Sequence, residues 1–448
     1  MQPQTFKLLN RLTTRQWLIP VLMTVTGIAV GVFLPMLDVL GGGEALAKLG
    51  GWPARLLLSS PEGAQSLLSA AAGALATIAG VAFSLSLVTL QLASNQYTPR
   101  LLRRFLTDRT TQVFLGMLVG TVSYLLLVLR FVRKGNGQSA SFVPQFSVLL
   151  GLVLTIGCLS MLAVFLYHLS RSIQPATILY EVARETDSAF SRQALQPTPA
   201  RLLPSTDGEP GWVLSRQTGY VQLAHLGALL DALPEGVQVA RLESHPGDFL
   251  VPGLRLLAIW PRVEVSFAER RRIEAALVVG RERTPEQDPL FGVRQLADIA
   301  LRALSPSTND VTTALQVVNE LGALGQALVA RGISATGGLQ VQRDARGRTL
   351  MAPVIGLAEF IEQAFGEIRR SAEPQPRIVA RVLELFAELA RQAADPGRQA
   401  VLRAYGRPLR EMALRLELVG PERELLESRW SWLDGAPPGD DAPPPQVH

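Results

Sequence analysis

Hydrophobic positions along this chain fall into two regimes: unbroken apolar runs in the first third, then helix- and strand-period alternation. Four runs are long enough to cross a bilayer, at roughly 17–37, 66–93, 112–131 and 146–168. The second is the longest. From Ser66 to Ala93 it holds 28 residues without a charge or a proline, which at about 1.5 Å per helical residue exceeds a hydrocarbon core of roughly 30 Å. Its faces differ. Gly73, Thr77, Gly80, Ser84, Val88, Gln91, Asn95 and Thr98 recur at spacings of four and three and share one stripe, all but Val88 small or polar. Large apolar residues such as Leu75, Phe83 and Leu90 lie off it, toward lipid or neighbouring helices. In lipid an unpaired polar group costs several kcal/mol, so the stripe is expected to face protein or water.

After the fourth run the pattern changes. Residues 171–195 read as a helix continuing that span, followed by a Pro-rich linker. GWVLSRQTGYVQLAHLGALLDAL, from Gly211, predicts a short strand and then a helix. VQVARLESHPGDFLVPGLRLLAIW, from Val237, predicts two strands joined by a turn at Pro246, Gly247 and Asp248, as in a small barrel or sandwich. Residues 268–278 read as helix, and the run from Ala276 as strand. From Asp288 helix dominates, with Arg294, Asp298 and Arg302 spaced four apart as an exposed ladder. Asn309 or Asp310 is placed to cap the next helix, which ends near Gly332. Residues 334–355 alternate around a D-A-R-G turn as a hairpin. Helices follow at about 356–371, 375–394, 397–418 and 421–433.

The fold class expected is therefore a membrane α-helical part with four transmembrane helices, plus a cytoplasmic α+β domain with a small β region and a helical C-terminal half. The boundaries read 1–175 for the transmembrane domain, 176–210 for a helix and linker, 211–285 for a small mixed α/β domain and 286–434 for a mainly helical domain. Residues 435–448, rich in Pro, Gly and Asp, are expected to be disordered.

Charge adds orientation. Residues 1–175 hold 13 Lys plus Arg against 4 Asp plus Glu, a net +9, so the overall +5 belongs to the membrane part and the remainder is −4. A nucleic-acid-binding domain would gather its cations on the soluble part, so that class is excluded, whereas basic loops at a lipid surface fit. The segment before the first span carries +3, the loop after it −1, and the loop over residues 94–111 carries +3 through Arg100, Arg103, Arg104 and Arg109. Positive-inside reasoning puts both termini in the cytoplasm of a bacterial inner membrane, against the vote of Arg130, Arg133 and Lys134. The first run reads as an uncleaved span, since no A-x-A-like site follows it. Lone Cys158 lies in an apolar run and permits no disulfide within the chain.

Candidate chemistry is sparse. On the stripe, Thr77, Ser84, Gln91 and Asn95 are pore-lining candidates, offering hydroxyls and amides to an ion in a ring of copies. The competing reading is close helix packing through Gly73, Thr77 and Gly80, although packing has no need of amides. Arg100, Arg103, Arg104 and Arg109 either anchor on anionic lipid or gather anions at the mouth of a path. Ser305, Asn309 and Asp310 either cap a helix or hold an ion or small ligand. His168, His225, His245 and His448 are far apart without ligand spacing, and no G-x-S-x-G, Walker or dinucleotide pattern occurs. No enzyme, metal or cofactor is expected.

Two stretches, TPRLLRRFLTDRTTQVFLG from Thr98 and DPLFGVRQLADIALRALSPSTNDVTTA from Asp288, resemble the bacterial membrane proteins grouped as domain of unknown function 2254. GYVQ at Gly219 and PGDF at Pro246 fit the same family, and the likeness runs to about residue 430. It implies four N-terminal spans and a cytoplasmic C-terminal region. Where the family reads S-P-G-x-N-D-P, this chain has Ser307 for the glycine and Val311 for the proline, which presets the turn less tightly. The function expected is a homo-oligomeric ion channel or transporter gated by its cytoplasmic domain. The alternative is a membrane-anchored scaffold or regulator without transport activity.

Overall fold

A computed structural model describes residues 18–39, 60–96, 108–134, 141–172, 174–372, 375–415 and 420–434. The chain divides into two compact units, residues 8–174 and, in the main, residues 175–448. Residues 435–448, expected to be disordered, lie outside the described residues.

The first unit is helical throughout: α1 (Leu18–Leu37), α2 (Pro61–Gln96), α3 (Arg109–Phe131) and α4 (Gln145–Ser172). All four are long and apolar enough to cross a membrane. Lipid gives no hydrophobic drive for helices to associate, so close backbone approach must supply contact. α1 and α3 achieve this with a Gly-x-x-x-Gly pair each, Gly27 and Gly31 against Gly116 and Gly120. A Cβ at Gly27 would lie 2.3 Å from the Gly120 carbonyl oxygen, and one at Gly120 would lie 2.8 Å from that of Met23. Elsewhere Leu68 and Leu75 of α2 pack with Leu118 and Leu125 of α3 in one buried cluster. Phe114 stacks on Phe165 of α4 at 4.5 Å between ring centroids.

Polar contacts fix both ends of the bundle. Asp38, just past α1 and buried, accepts hydrogen bonds from the Ser147 backbone N–H (3.1 Å) and hydroxyl (2.7 Å) in the first turn of α4. The Tyr124 hydroxyl donates to the Ser147 carbonyl at 2.7 Å. At the other end Asp108 caps α3, accepting from Thr111 N (3.0 Å) and Oγ1 (2.6 Å), with His168 Nε2 at 3.0 Å.

The second unit begins with α5 (Pro175–Ser191) and continues as a sandwich of two sheets. Its strands are β1 (Gly211–Leu214), β2 (Gly219–Ala224), β3 (Val239–Leu242), β4 (Phe249–Leu250), β5 (Arg255–Trp260) and β6 (Leu277–Gly280), with α6 (Leu226–Ala232) and α7 (Phe267–Ala275) between them. The first stretch thus holds two strands before its helix. β7 (Gly338–Arg343) and β8 (Thr349–Val354) form the expected hairpin, and β8 runs parallel to β3. The sheet orders are β1-β5-β3-β8-β7 and β4-β2-β6, so the larger sheet spans the 285/286 division. Val213, Leu242 and Leu257 from one sheet and Val221, Leu250 and Leu277 from the other share one core.

Two expectations need correction. The strands flanking Pro246–Asp248 do not pair with each other: β3 pairs with β5 and β8, whereas β4 pairs with β2. The turn sends the chain from one sheet to the other, because Gly247 N donates to Val221 O (2.7 Å) and Val221 N to Asp248 O (2.9 Å). The ladder on α8 (Pro289–Ala303) is not exposed throughout either. α10 (Leu357–Ser371) packs beside it, Asp298 is buried, and Arg294 reaches both Asp298 Oδ1 (2.7 Å) and the Glu367 carboxylate of α10 (2.5 and 3.0 Å). α9 (Val311–Ala330), α11 (Pro376–Gln392), α12 (Pro396–Arg415) and α13 (Gly420–Trp430) complete the helical half.

Candidate functional site

α2 turns its two faces to different surroundings. Ala64, Leu68, Ala72, Leu75 and Ala82 are buried within the unit. Gly73, Thr77, Gly80, Ser84, Val88 and Gln91 are exposed. From Val81 to Leu92 only Ala82 and Thr89 are buried. A Cβ built at Gly73 or Gly80 meets nothing within 4 Å, the reverse of Gly27 and Gly120. Among the described residues these two glycines therefore serve no helix crossing, so the packing reading finds no partner for them there. The Thr77 hydroxyl donates to the Gly73 carbonyl at 3.0 Å, an i−4 bond that satisfies its proton on its own helix. Asn95 belongs to α2, but its side chain lies outside the described residues.

Of the basic cluster, Arg100, Arg103 and Arg104 lie outside the described residues, and Arg109 opens α3, exposed. The turn over residues 305–310 is occupied with its own geometry. Asp310 caps α9 through Thr313 N (3.0 Å) and Oγ1 (2.5 Å), bonds that hold its carboxyl below the usual carboxylate range. Asn309 has φ of 44° and accepts from Gln375 Nε2 at 2.9 Å. The Ser305 hydroxyl donates to Arg302 O at 2.7 Å. The left-handed residue of the turn is Asn309 and not Ser307, so serine at the family's glycine position carries no strain.

The sequence kept three short stretches apart that the fold brings together. Tyr220 pairs with Phe249, their rings edge to face at 4.9 Å. Gly247, φ 103°, lies against the Asp288 carboxylate, where a Cβ would come within 2.5 Å of Oδ2. Asp288 is buried, caps α8 through Phe291 N (3.1 Å), and meets Arg283 in a two-point pair of 2.7 and 2.9 Å. Burial, only partly offset by Arg283, raises the Asp288 carboxyl above its ordinary range. Beside it His245 N donates to Asp248 Oδ2 at 2.7 Å, with the imidazole 3.7 Å from the same oxygen. Burial alone lowers His245, but the bond and charge of Asp248, with Glu359 and Asp288, outweigh it and raise the imidazole. The sequence marked the Pro246–Asp248 turn and the motif opening at Asp288 separately but not their meeting, because Arg283, His245 and Glu359 come from three separated stretches. The Gly-x-x-x-Gly pairs of α1 and α3 did leave one, in their spacing alone.

Uncharacterized proteins of Mycobacterium tuberculosis and Mycobacterium bovis are 29% identical to this chain over 98% of its length and 84% of theirs. No solved structure matches. The sequence profile of one family, described as predicted membrane protein, matches residues 13–388, and with that span this chain belongs to domain of unknown function 2254.

Proposed function

We propose that copies of this chain assemble around an axis in a bacterial inner membrane, both termini in the cytoplasm, and that the stripe of α2 lines a path for an ion or small solute gated by the soluble unit. One observation carries this reading: on the longest apolar helix the face bearing Gly73, Thr77, Gly80, Ser84 and Gln91 is exposed among the described residues. Thr77 satisfies its proton on its own helix, but the Gln91 carboxamide offers two donors and two lone pairs, more than its own helix backbone can satisfy. Beside acyl chains those groups are costly, and beside water or another copy's amides they are not. Only two residues separate α4 from α5, so a change in the soluble unit has a direct covalent route to the spans. No catalytic step is assigned to it.

The test is full-length protein in planar bilayers under voltage, tension and pH changes. Conductance is expected, and Gln91→Leu with Asn95→Leu should abolish or alter it. A bilayer that stays impermeable under all three refutes the conduit and leaves the scaffold reading. In a Cys158→Ala background, Ser84→Cys copies should be joined by a short bismaleimide in membranes. A product that remains monomeric removes the shared axis.

A further inference from the structure

The soluble unit holds a cavity of about 670 Å³ between the start of α6, the edge strand β7 and the segment following α5. Such a volume suits a ligand of drug or metabolite size, for which pockets run to roughly 300–1,000 Å³. Its walls divide by chemistry. Leu223, Leu242 and Ile355 supply an apolar side. Gln340 and Gln342, alternate residues of β7, line it with carboxamides, while Leu339 and Val341, alternating with them, pack with the group around Trp260 and Met351. An edge strand with amides on its cavity face has nothing to gain from them in sheet pairing or core packing.

The remaining wall supplies the second observation. Glu286 Oε2, on the cavity lining, is buried without a hydrogen-bond partner among the described residues. An acceptor in that state is costly unless a donor arrives from elsewhere. Its neighbour Gln287 is fixed in place, its side-chain oxygen accepting from Ala224 N at 2.8 Å. Arg192, also on the lining, donates to the Glu286 backbone carbonyl at 3.3 Å and does not satisfy Oε2.

We propose that this cavity binds a small uncharged organic molecule rich in hydroxyl or amino donors, of nucleoside or disaccharide size. Donors on such a ligand meet Glu286 Oε2, and the glutamine amides read its remaining donors and acceptors. On the lining Arg192 and Glu286 offset each other, and His225 and His245 are the other titratable groups, so the wall carries no dense charge of either sign to select an anion or a polycation. The inference is independent of conduction, since it is read from binding at equilibrium.

The experiment is equilibrium dialysis and thermal shift on the full-length protein in detergent. One arm holds adenosine, guanosine, cytidine and uridine, the other sucrose, maltose and trehalose, with sodium phosphate and spermidine as charged probes. Saturable binding in one neutral arm with Kd below about 1 mM is expected. Glu286→Gln should weaken it by about tenfold, the loss of one charge-assisted hydrogen bond. Gln342→Leu, at an exposed position on the edge strand where folding is not at risk, should also weaken it several-fold. Binding in neither neutral arm, binding of the charged probes instead, or binding that both variants leave unchanged would each overturn the proposal.

Discussion

Substituting alanine for glycine should have opposite effects on α1 and α2, and the structure sets the scale of both. In an unencumbered helix interior the change stabilises by about 0.8–1 kcal/mol through backbone entropy. Gly73 and Gly80 fit that case, since an added Cβ meets nothing within 4 Å. At Gly27 the added carbon lies 2.3 Å from a backbone carbonyl oxygen, which no rotamer change can move aside. Reaching ordinary contact near 3.4 Å parts α1 from α3 by about 1 Å, enough to forfeit a quarter to a half of the dispersion energy along the crossing. Overpacking of this kind costs about 1–3 kcal/mol, so after the propensity gain Gly27→Ala should lose up to about 2 kcal/mol and Gly120→Ala somewhat less. SDS titration of the purified protein, followed by tryptophan fluorescence, measures the stability of the single chain. Gly73→Ala and Gly80→Ala should leave its midpoint unchanged or raised. A Gly73→Ala variant as destabilised as Gly27→Ala, or a Gly27→Ala variant more stable than wild type, refutes the reasoning.

Two further outcomes are expected. His245 has a folded pKa raised above its ordinary 6.5, so its contribution to stability is complete below about 6.5 and is lost as pH rises through the folded value. The melting temperature should therefore fall more between pH 6 and pH 8.5 in wild type than in His245→Gln, and parallel profiles would dismiss the Asp248 contact as its cause. Asp310→Ala removes the cap of α9 and should cost about 1 kcal/mol, seen in thermal melts as a drop of about 2–4 °C, with Asp310→Asn retaining most of the stability. An undiminished melting temperature in the alanine variant would reopen the turn as a ligand site.

Local chemistry made most elements legible. The uncharged run from Ser66 to Ala93 announced α2, the D-A-R-G turn announced the β7–β8 hairpin, and the pair Asn309 and Asp310 announced the start of α9, which Asp310 caps. What stayed hidden depends on partners remote in sequence. Gly27 and Gly120 advertise a close approach but not to which helix, and Asp298 reads as surface until α10 covers it. The stripe on α2 was readable as a stripe, while its outward direction required knowing which side of the helix Leu68 and Leu75 occupy. The cavity was illegible for the same reason, since Glu286 and Gln340 belong to stretches with no shared pattern.

The parallel pairing of β3 with β8 imposes an order of events during synthesis. Val239 and Thr349 are partners although about 110 positions apart, an interval that a ribosome takes roughly 5–20 s to traverse. Through that interval β5 can already cover one flank of β3, leaving the other flank with open backbone donors and acceptors. A nascent chain emerging behind its four apolar helices thus carries a sticky strand border until its late hairpin is made, and crowding of unfinished chains on one messenger is the moment at which it is most exposed.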